Sequence, residues 1–201
     1  MVSHDDTIQL YSRRAAEFFE DYDSVDPTDF HGPLLSFLPD PPARVLDIGA
    51  GTGRDSAFFA ARGYEVIAVE PAGGFREQGG AHHQHPDLRW LDDRLPDLSE
   101  VRHQGLDADL LWLSAVWMHV DPAHRDTAFQ TLVSLLRPAG RLIFNLRVGP
   151  APADRPMFPN SGEEIIALAR RHGLETLHHG HAADALGRPG VHWESLVLAR
   201  P

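Results

Sequence analysis

The residues of this 201-residue chain best placed to do chemistry form one short run, Asp47-Ile48-Gly49-Ala50-Gly51-Thr52-Gly53-Arg54, answered by an acid, Glu70, that closes Val66-Ile67-Ala68-Val69. Glycines at the mouth of an apolar strand let the chain turn sharply and let a ligand approach atoms that a Cβ would block. An acid at the end of the next strand can accept two hydrogen bonds from a ribose diol. Either half occurs by chance, but a glycine loop after an apolar strand, before a helix, with an acid at the next strand's end is far more specific. Two ligand classes fit such a loop. A dinucleotide loop wants a third Gly or Ala three residues after its second glycine, where a helix packs close with its N-terminus facing the pyrophosphate. Here that position is Arg54, and the glycines fall instead at 49, 51 and 53, with Asp47 two residues before the first.

Histidine is the other chemistry-bearing residue type, with 13 in the chain. His82-His83-Gln84-His85 and His178-His179-Gly180-His181 invite a metal reading, yet adjacent histidines point in different directions. Exposed loop histidines and no metal site are expected. His119 differs, because Ser114-Ala115-Val116-Trp117-Met118-His119 leaves an apolar strand at the edge where open α/β sheets bind ligands. With an unperturbed pKa near 6.5 it could serve as a base at neutral pH.

Around these residues, short apolar runs alternate with helical patterns from Arg44 onward, the signature of a parallel sheet covered by helices on both faces. The strands are expected at Arg44 to Ile48, Glu65 to Val69, Leu88 to Leu91, Asp109 to Ser114 and Gly140 to Leu146. A helix is predicted from Asp121, capped by that acid and ending at Pro138 and Gly140, and another from Ser161, where Ser161 and Glu164 have capping-box spacing, to about His172. Glu175 to His179 and Trp193 to Ala199 read as an antiparallel pair at the sheet edge. Before Arg44 the chain is helical, with an aromatic stripe through Tyr11, Ala15, Phe18, Phe19 and Tyr22 and no strand to belong to. Gly149 to Asn160, with four prolines, is the one extended irregular loop. The division expected is a single domain over 1–201, a helical cap at 1–40 and a sheet core at 44–201.

Composition narrows the classes further. With no cysteine, thiol nucleophiles, disulfides and cysteine-ligated metals are excluded, and a net charge of −11 disfavours nucleic acid and anionic lipid. Leu110 to Val120 is too short an apolar stretch to span a bilayer, and Met1 to Asp6 carries acids in place of a basic leader. A soluble, cytoplasmic protein, monomer or homodimer, with no nucleic acid or membrane partner, is expected.

The loop, its acid and the strand that follows resemble the first motifs of the class I S-adenosylmethionine-dependent methyltransferases, most of all their small-molecule branch, the type 11 or 12 and tellurite-resistance-like enzymes. The resemblance runs from about residue 11 to the end. It implies a Rossmann-like, seven-stranded, mostly parallel α/β sheet with an antiparallel final strand, helices on both faces and an N-terminal helical cap. It implies methyl transfer from S-adenosylmethionine, giving S-adenosylhomocysteine, to a small-molecule acceptor by in-line displacement. The alternatives are an RNA or protein methyltransferase, or a non-catalytic cofactor-binding protein of the same fold.

Residue by residue, the resemblance implies a cofactor site of Tyr11, Asp47, Gly49, Ala50, Gly51, Gly53, Arg54, Glu70, Pro71, Asp92, Asp93, Ser114 and Ala115. Glu70 is the ribose ligand, and Asp92 is favoured over Asp93 for the adenine amine because it follows its strand directly. Trp117, Tyr22 and Arg147 are expected on the acceptor and His119 at the chemistry. Gly73-Gly74 and Gly79-Gly80 depart from the pattern, since helix-forming residues usually follow the ribose acid, and leave the extent of the next helix open.

Overall fold

The computed structural model describes residues 4–184 and 187–201. Five buried or half-buried apolar runs form parallel strands: β1 (Arg44–Ile48), β2 (Glu65–Val69), β3 (Leu88–Leu91), β4 (Ala108–Ser114) and β5 (Leu136–Val148). β6 (Glu175–Ala183) and β7 (His192–Ala199) complete a seven-stranded sheet in the order β3-β2-β1-β4-β5-β7-β6, with β7 antiparallel to both neighbours. The chain winds outward one way through β2 and β3 and the other way through β4 and β5. The crevice between the carboxyl ends of β1 and β4 is therefore the switch point, where open α/β sheets bind ligands.

Both sheet faces are buried, which is why the strands read as continuous apolar runs. Leu46, Ile48, Ile67, Leu111, Leu113 and Phe144 pack on one face, and Val45, Val66, Leu110, Trp112 and Ile143 on the other with Phe59. The covering helices are α4 (Arg54–Ala60), α5 (Gly73–His82), α6 (Ser99–His103), α7 (Arg125–Leu135) and α8 (Gly162–Arg171). Asp121 caps a 3-10 turn, Pro122–His124, that leads into α7, so the α-helix starts four residues later than the sequence suggested. It also stops sooner. Leu136 is already extended and paired with Ala108, and the Arg137-Pro138-Ala139-Gly140 turn is absorbed as a bulge in a strand that therefore starts before Gly140. Ser161 caps α8 through the Glu164 amide, as expected. The return bond of a capping box is replaced by an ion pair in which Arg125 Nη1 reaches both oxygens of Glu164.

The glycines that left α5 open are the reason it fits. A Cβ on Gly74 would lie 2.1 Å from the Ser12 carbonyl, and one on Gly79 would lie 2.5 Å from Trp90 and 2.6 Å from the Thr52 carbonyl. α5 is a full helix pressed between the cap and β3, at the helix-propensity cost of glycine.

The cap is α1 (His4–Arg13), α2 (Ala15–Asp23) and α3 (Pro27–His31), then a 3-10 turn, Gly32–Phe37. Its aromatic stripe packs on α5: Ala15 and Phe18 are buried with Ala72 and Phe75, against Tyr11 and Tyr22. A fully buried Phe contributes roughly 1.5–3 kcal/mol, so this small cluster holds the cap far less firmly than the two main cores hold the sheet. No helix among the described residues is long and apolar enough to cross a membrane.

Candidate active site

At the end of β1 the loop is tied to the neighbouring strand, with the Gly49 and Ala50 amides donating to the Val69 carbonyl at 2.7 and 3.1 Å. Gly49, Gly51 and Gly53 have φ of +73°, +57° and +86°, which side chains rarely adopt. Space separates their roles. A Cβ on Gly49 would meet Val116 at 2.6 Å and one on Gly53 would meet Trp90 at 2.5 Å, whereas around Gly51 nothing lies within 4 Å. Two of the glycines let the loop pack, and the third faces open space.

That open side meets Glu70, which is 6% exposed. One carboxylate oxygen accepts the Gly51 amide at 2.8 Å and the other the Ala72 amide at 2.8 Å. Each oxygen keeps a further lone pair for a ribose hydroxyl, so the residues present fit that role. Burial pushes the carboxyl up to about 7, against the pull of those two amides. Beneath the loop, Asp47 is buried and accepts from Ser56 Oγ at 2.6 Å. Burial, and then the charge of Asp55, push it up to about 8. Asp47 is thus a positioning group that locks β1 to α4. Pro71, half-buried, separates Glu70 from the Ala72 amide it binds.

The two acids after β3 do different work. Asp93 accepts from the Glu100 and Val101 amides, both at 2.8 Å, which makes it the cap of α6. That occupation favours Asp92 over Asp93 as the partner for an adenine amine. Asp92 is exposed and ion-paired with Arg76, whose other nitrogen donates to the Glu70 carbonyl at 2.7 Å, so one guanidinium joins the two acids.

At the β4 exit Ser114 is half-buried and Ala115 adopts φ +57°, its amide donating to the Asn145 carbonyl at 2.8 Å. Trp117 is fully buried against Phe129 and Phe144. It packs the core and lines no acceptor pocket, contrary to its placement from sequence. His119 is half-buried, with Nε2 3.3 Å from the Tyr11 hydroxyl and the rings edge-on. Tyr11 therefore joins the cap to the β4 exit, and burial raises its hydroxyl well above the usual range.

Arg54 was placed on the cofactor, but its guanidinium reaches the Asp55 carboxylate at 2.7 Å and the Tyr22 carbonyl at 3.0 Å. Only its backbone borders the loop. Tyr22 itself accepts a hydrogen bond from Arg155 at 2.6 Å, which brings the Pro-rich loop onto the cap. Arg147, near the end of β5, is buried beside that loop and donates to the Pro150 carbonyl at 3.0 Å.

Sequence reasoning missed a buried polar knot beneath the cap. His31 Nε2 donates to Asp55 at 2.8 Å, Trp112 Nε1 to the same oxygen at 3.0 Å, and Asn145 approaches the far side of the His31 ring. Burial raises the Asp55 carboxyl, and His31, Arg54 and Trp112 more than reverse this, holding it below the usual range. In the sequence, the isolated His31 in an amphipathic segment is the signal that pointed to it. Of the two histidine runs, the second lies on β6 and not in a loop, whereas in the first His82 ends α5 and His83 to His85 do stand in a loop. His82 and His83 meet Asp23 from the cap, and His179 and His181 lie on β6 facing Glu194 of β7. These two groups are where the described residues could hold a divalent ion. A cleft of about 360 Å³ opens between α1 and the Pro-rich loop, and another of about 390 Å³, among Gly80, His83, Gln84 and Trp90, lies away from Gly51 and Glu70.

The sheet order with its antiparallel last strand, a glycine loop at the switch point and an acid after β2 define the methyltransferase type of Rossmann-like fold. Comparison with known proteins agrees. A family described as "Methyltransferase domain" matches residues 45–140. An uncharacterized methyltransferase of Mycobacterium tuberculosis is 32% identical over 55% of this chain and 43% of its own, so the match spans less than half of that relative. Among solved structures, the N-methyltransferase NodS of Bradyrhizobium japonicum, with S-adenosylhomocysteine, has a TM-score of 0.75 at 15% identity over 98% of this chain and 100% of its own. The Burkholderia thailandensis 1,6-didemethyltoxoflavin N1-methyltransferase, with both ligands, has a TM-score of 0.64 at 19% identity over 95% and 87%. Residues 45–140 thus match a methyltransferase domain family, and the chain shares its fold with these S-adenosylhomocysteine-bound methyltransferases.

Proposed function

We propose that the protein methylates a small-molecule acceptor at the carboxyl edge of β1, β4 and β5. The observation that carries this reading is the open face at Gly51 set against the buried Glu70 carboxylate, a cradle a Cβ would fill beside a group able to bind a ribose. When bound, S-adenosylmethionine supplies a methyl group already activated on a cationic sulfur. The chain has only to align, exclude water and move a proton. The loop amides around Gly51 border the methionine part, Glu70 accepts the ribose hydroxyls on its remaining lone pairs, and Asp92 takes the adenine amine. Positioning of this kind supplies roughly 7–11 kcal/mol, which leaves side-chain chemistry a minor share.

His119 receives the acceptor's proton or holds the acceptor group, and Tyr11 must release Nε2 for it to do so. The cap and the Pro-rich loop close the acceptor side, and the didemethyltoxoflavin enzyme of similar fold, which binds a small-molecule acceptor, supports this reading. The test is calorimetry with S-adenosylhomocysteine and NADH side by side, then a screen of small metabolites for S-adenosylhomocysteine release. Binding of the first compound alone is the expected result. Binding of NADH alone would replace this reading with hydride transfer.

A further inference from the structure

Two arginines of this chain are buried to nearly the same depth, and they are treated differently. Arg125, 4% exposed, meets both oxygens of Glu164 at 2.7 and 2.9 Å and donates its Nε to the Val120 carbonyl. Arg147, 6% exposed, has no carboxylate partner among the described residues. Its contacts are the Pro150 carbonyl at 3.0 Å and the Met157 sulfur at 3.6 Å, and its Nε is buried without a hydrogen bond. A buried guanidinium is costly unless paired, so folds rarely keep one for packing alone.

The surroundings make the cost greater. Burial, and then the charges of Arg188 and Arg155, press Arg147 toward losing its proton. Arg188 is neutralised by Asp184, which takes its Nε at 2.9 Å. Arg155 lies over Phe18, donates to Tyr22, and is 3.6 Å from Asp154, an acid already held by Arg14 at 2.6 Å. In a chain of net charge −11 this leaves about one uncompensated positive charge. It sits near the carboxyl end of β5, on the ligand edge of the sheet. Tyr11, whose hydroxyl meets His119, feels the charges of both Arg155 and Glu70.

We propose that Arg147 is the docking point for a carboxylate on the methyl acceptor, with Arg155 and Tyr22 closing over it. The inference rests on the methyltransferase reading above and names the chemical class of its substrate, a small monocarboxylic acid. A guanidinium fork matches a planar carboxylate with two parallel bonds, and one surplus charge suits a monoanion better than a phosphate ester. An uncharged acceptor would leave Arg147 as unpaired as it is without one.

The experiment follows the arginine Nε–H resonances of protein saturated with S-adenosylhomocysteine during titration with acetate, acetamide and inorganic phosphate, Arg147 being assigned by its absence in Arg147→Met. The Arg147 signal should move with acetate at least tenfold more steeply than with acetamide. Arg147→Met should keep its S-adenosylhomocysteine affinity, melt no lower than wild type, and lose the acetate-dependent rise in melting temperature. No response to acetate, or an equal one to acetamide, overturns the proposal, and a stronger response to phosphate replaces carboxylate with phosphate ester. A variant that melts lower in the absence of anion and keeps the acetate effect makes Arg147 structural. Failure of S-adenosylhomocysteine to bind wild type is a separate result that strikes the methyltransferase reading itself.

Discussion

The cofactor half of the site we propose draws Asp47, Gly49, Gly51, Gly53, Glu70 and Asp92 from three consecutive β-strand ends, while the proposed acceptor half gathers side chains from all over the chain. Tyr11 and Tyr22 come from the cap, His119 from the β4 exit, Arg147 from β5, Arg155 from the Pro-rich loop and Arg188 from beyond β6. The first half works largely through backbone, with three positive-φ glycines and amides bonded to Val69 and Glu70. The second works through side chains that bridge elements, Tyr11 to His119 and Arg155 to Tyr22. A binding surface made of backbone is specified locally and tolerates little change. One made of side chains on appended segments can be altered residue by residue while the sheet stays intact.

The sharpest way to break the comparison is at Gly51. A valine there puts a branched side chain into the open side of the loop at φ +57°. We expect S-adenosylhomocysteine affinity to fall by about two to three orders of magnitude, equivalent to roughly 3–4 kcal/mol, with the sheet still folded. Calorimetry and a thermal melt on the same sample separate the two outcomes. Normal binding by a folded variant would show that the cofactor lies elsewhere.

On the acceptor side, His119→Ala should leave S-adenosylhomocysteine affinity within twofold and lower turnover by about 10²-fold, the usual share of a general base. Tyr11→Phe removes the hydroxyl 3.3 Å from Nε2 while keeping the ring. If His119 is the base, this second variant should retain most activity and shift its pH profile, since Nε2 no longer has to be freed. Parallel pH profiles and similar rates in wild type and His119→Ala would remove His119 from the chemistry and leave positioning as the whole mechanism.

Glu70 tests the cofactor half more gently, through pH. Its carboxyl is raised from 4.5 to about 7 in the folded protein. The folded state therefore holds a proton that the unfolded chain has released, so this group's contribution to stability is complete below about pH 4.5 and is lost as pH rises through 7. Cofactor binding has the opposite sign, because ribose hydroxyls donate to the ionised form. Affinity for S-adenosylhomocysteine should weaken as pH falls from 8 to 6, by at most about tenfold per unit, and Glu70→Gln should flatten that slope. A slope unchanged in Glu70→Gln would assign the titration to another group, Asp47 being the nearest candidate with its carboxyl raised to about 8.

The same contrast explains what could be read from the sequence. β1, β2 and β3 begin and end at the expected residues because buried parallel strands are uninterrupted apolar runs with polar ends. The start of β5 was hidden, since Arg137-Pro138-Ala139-Gly140 has the local chemistry of a turn and becomes strand only through pairing with β4. Gly74 and Gly79 looked like helix breakers because the Ser12 carbonyl and Trp90 that demand them are distant in sequence. Trp117 stands at a ligand-facing strand exit, yet its ring turns inward, a choice of direction that position alone does not reveal. Arg155 and Arg188 carried no signal, as each gains meaning only where the loops that bear them converge. His31 and Asp55 were missed for the same reason, being joined only by packing of the cap on α4.

The smallest expected effect decides between two neighbours. Asp92 and Asp93 are adjacent and alike, and sequence left both as partners for the adenine amine. The structure gives Asp93 to the Glu100 and Val101 amides and Asp92 to Arg76 beside Glu70. Loss of a helix cap costs roughly 0.5–2 kcal/mol, so Asp93→Ala should lower the melting temperature by several degrees and leave S-adenosylhomocysteine affinity unchanged. Asp92 is 66% exposed at its side chain. An exposed ion pair contributes little to stability, so Asp92→Asn should melt like wild type and bind S-adenosylhomocysteine about three- to fivefold more weakly, the share of one solvent-screened hydrogen bond. An adenine-free analogue, S-ribosylhomocysteine, should bind wild type and Asp92→Asn equally, because the bond at issue is then missing from both. If Asp93→Ala loses affinity while Asp92→Asn does not, the adenine end of the site is turned toward α6, and the assignment of that half by backbone geometry fails at its most exposed point.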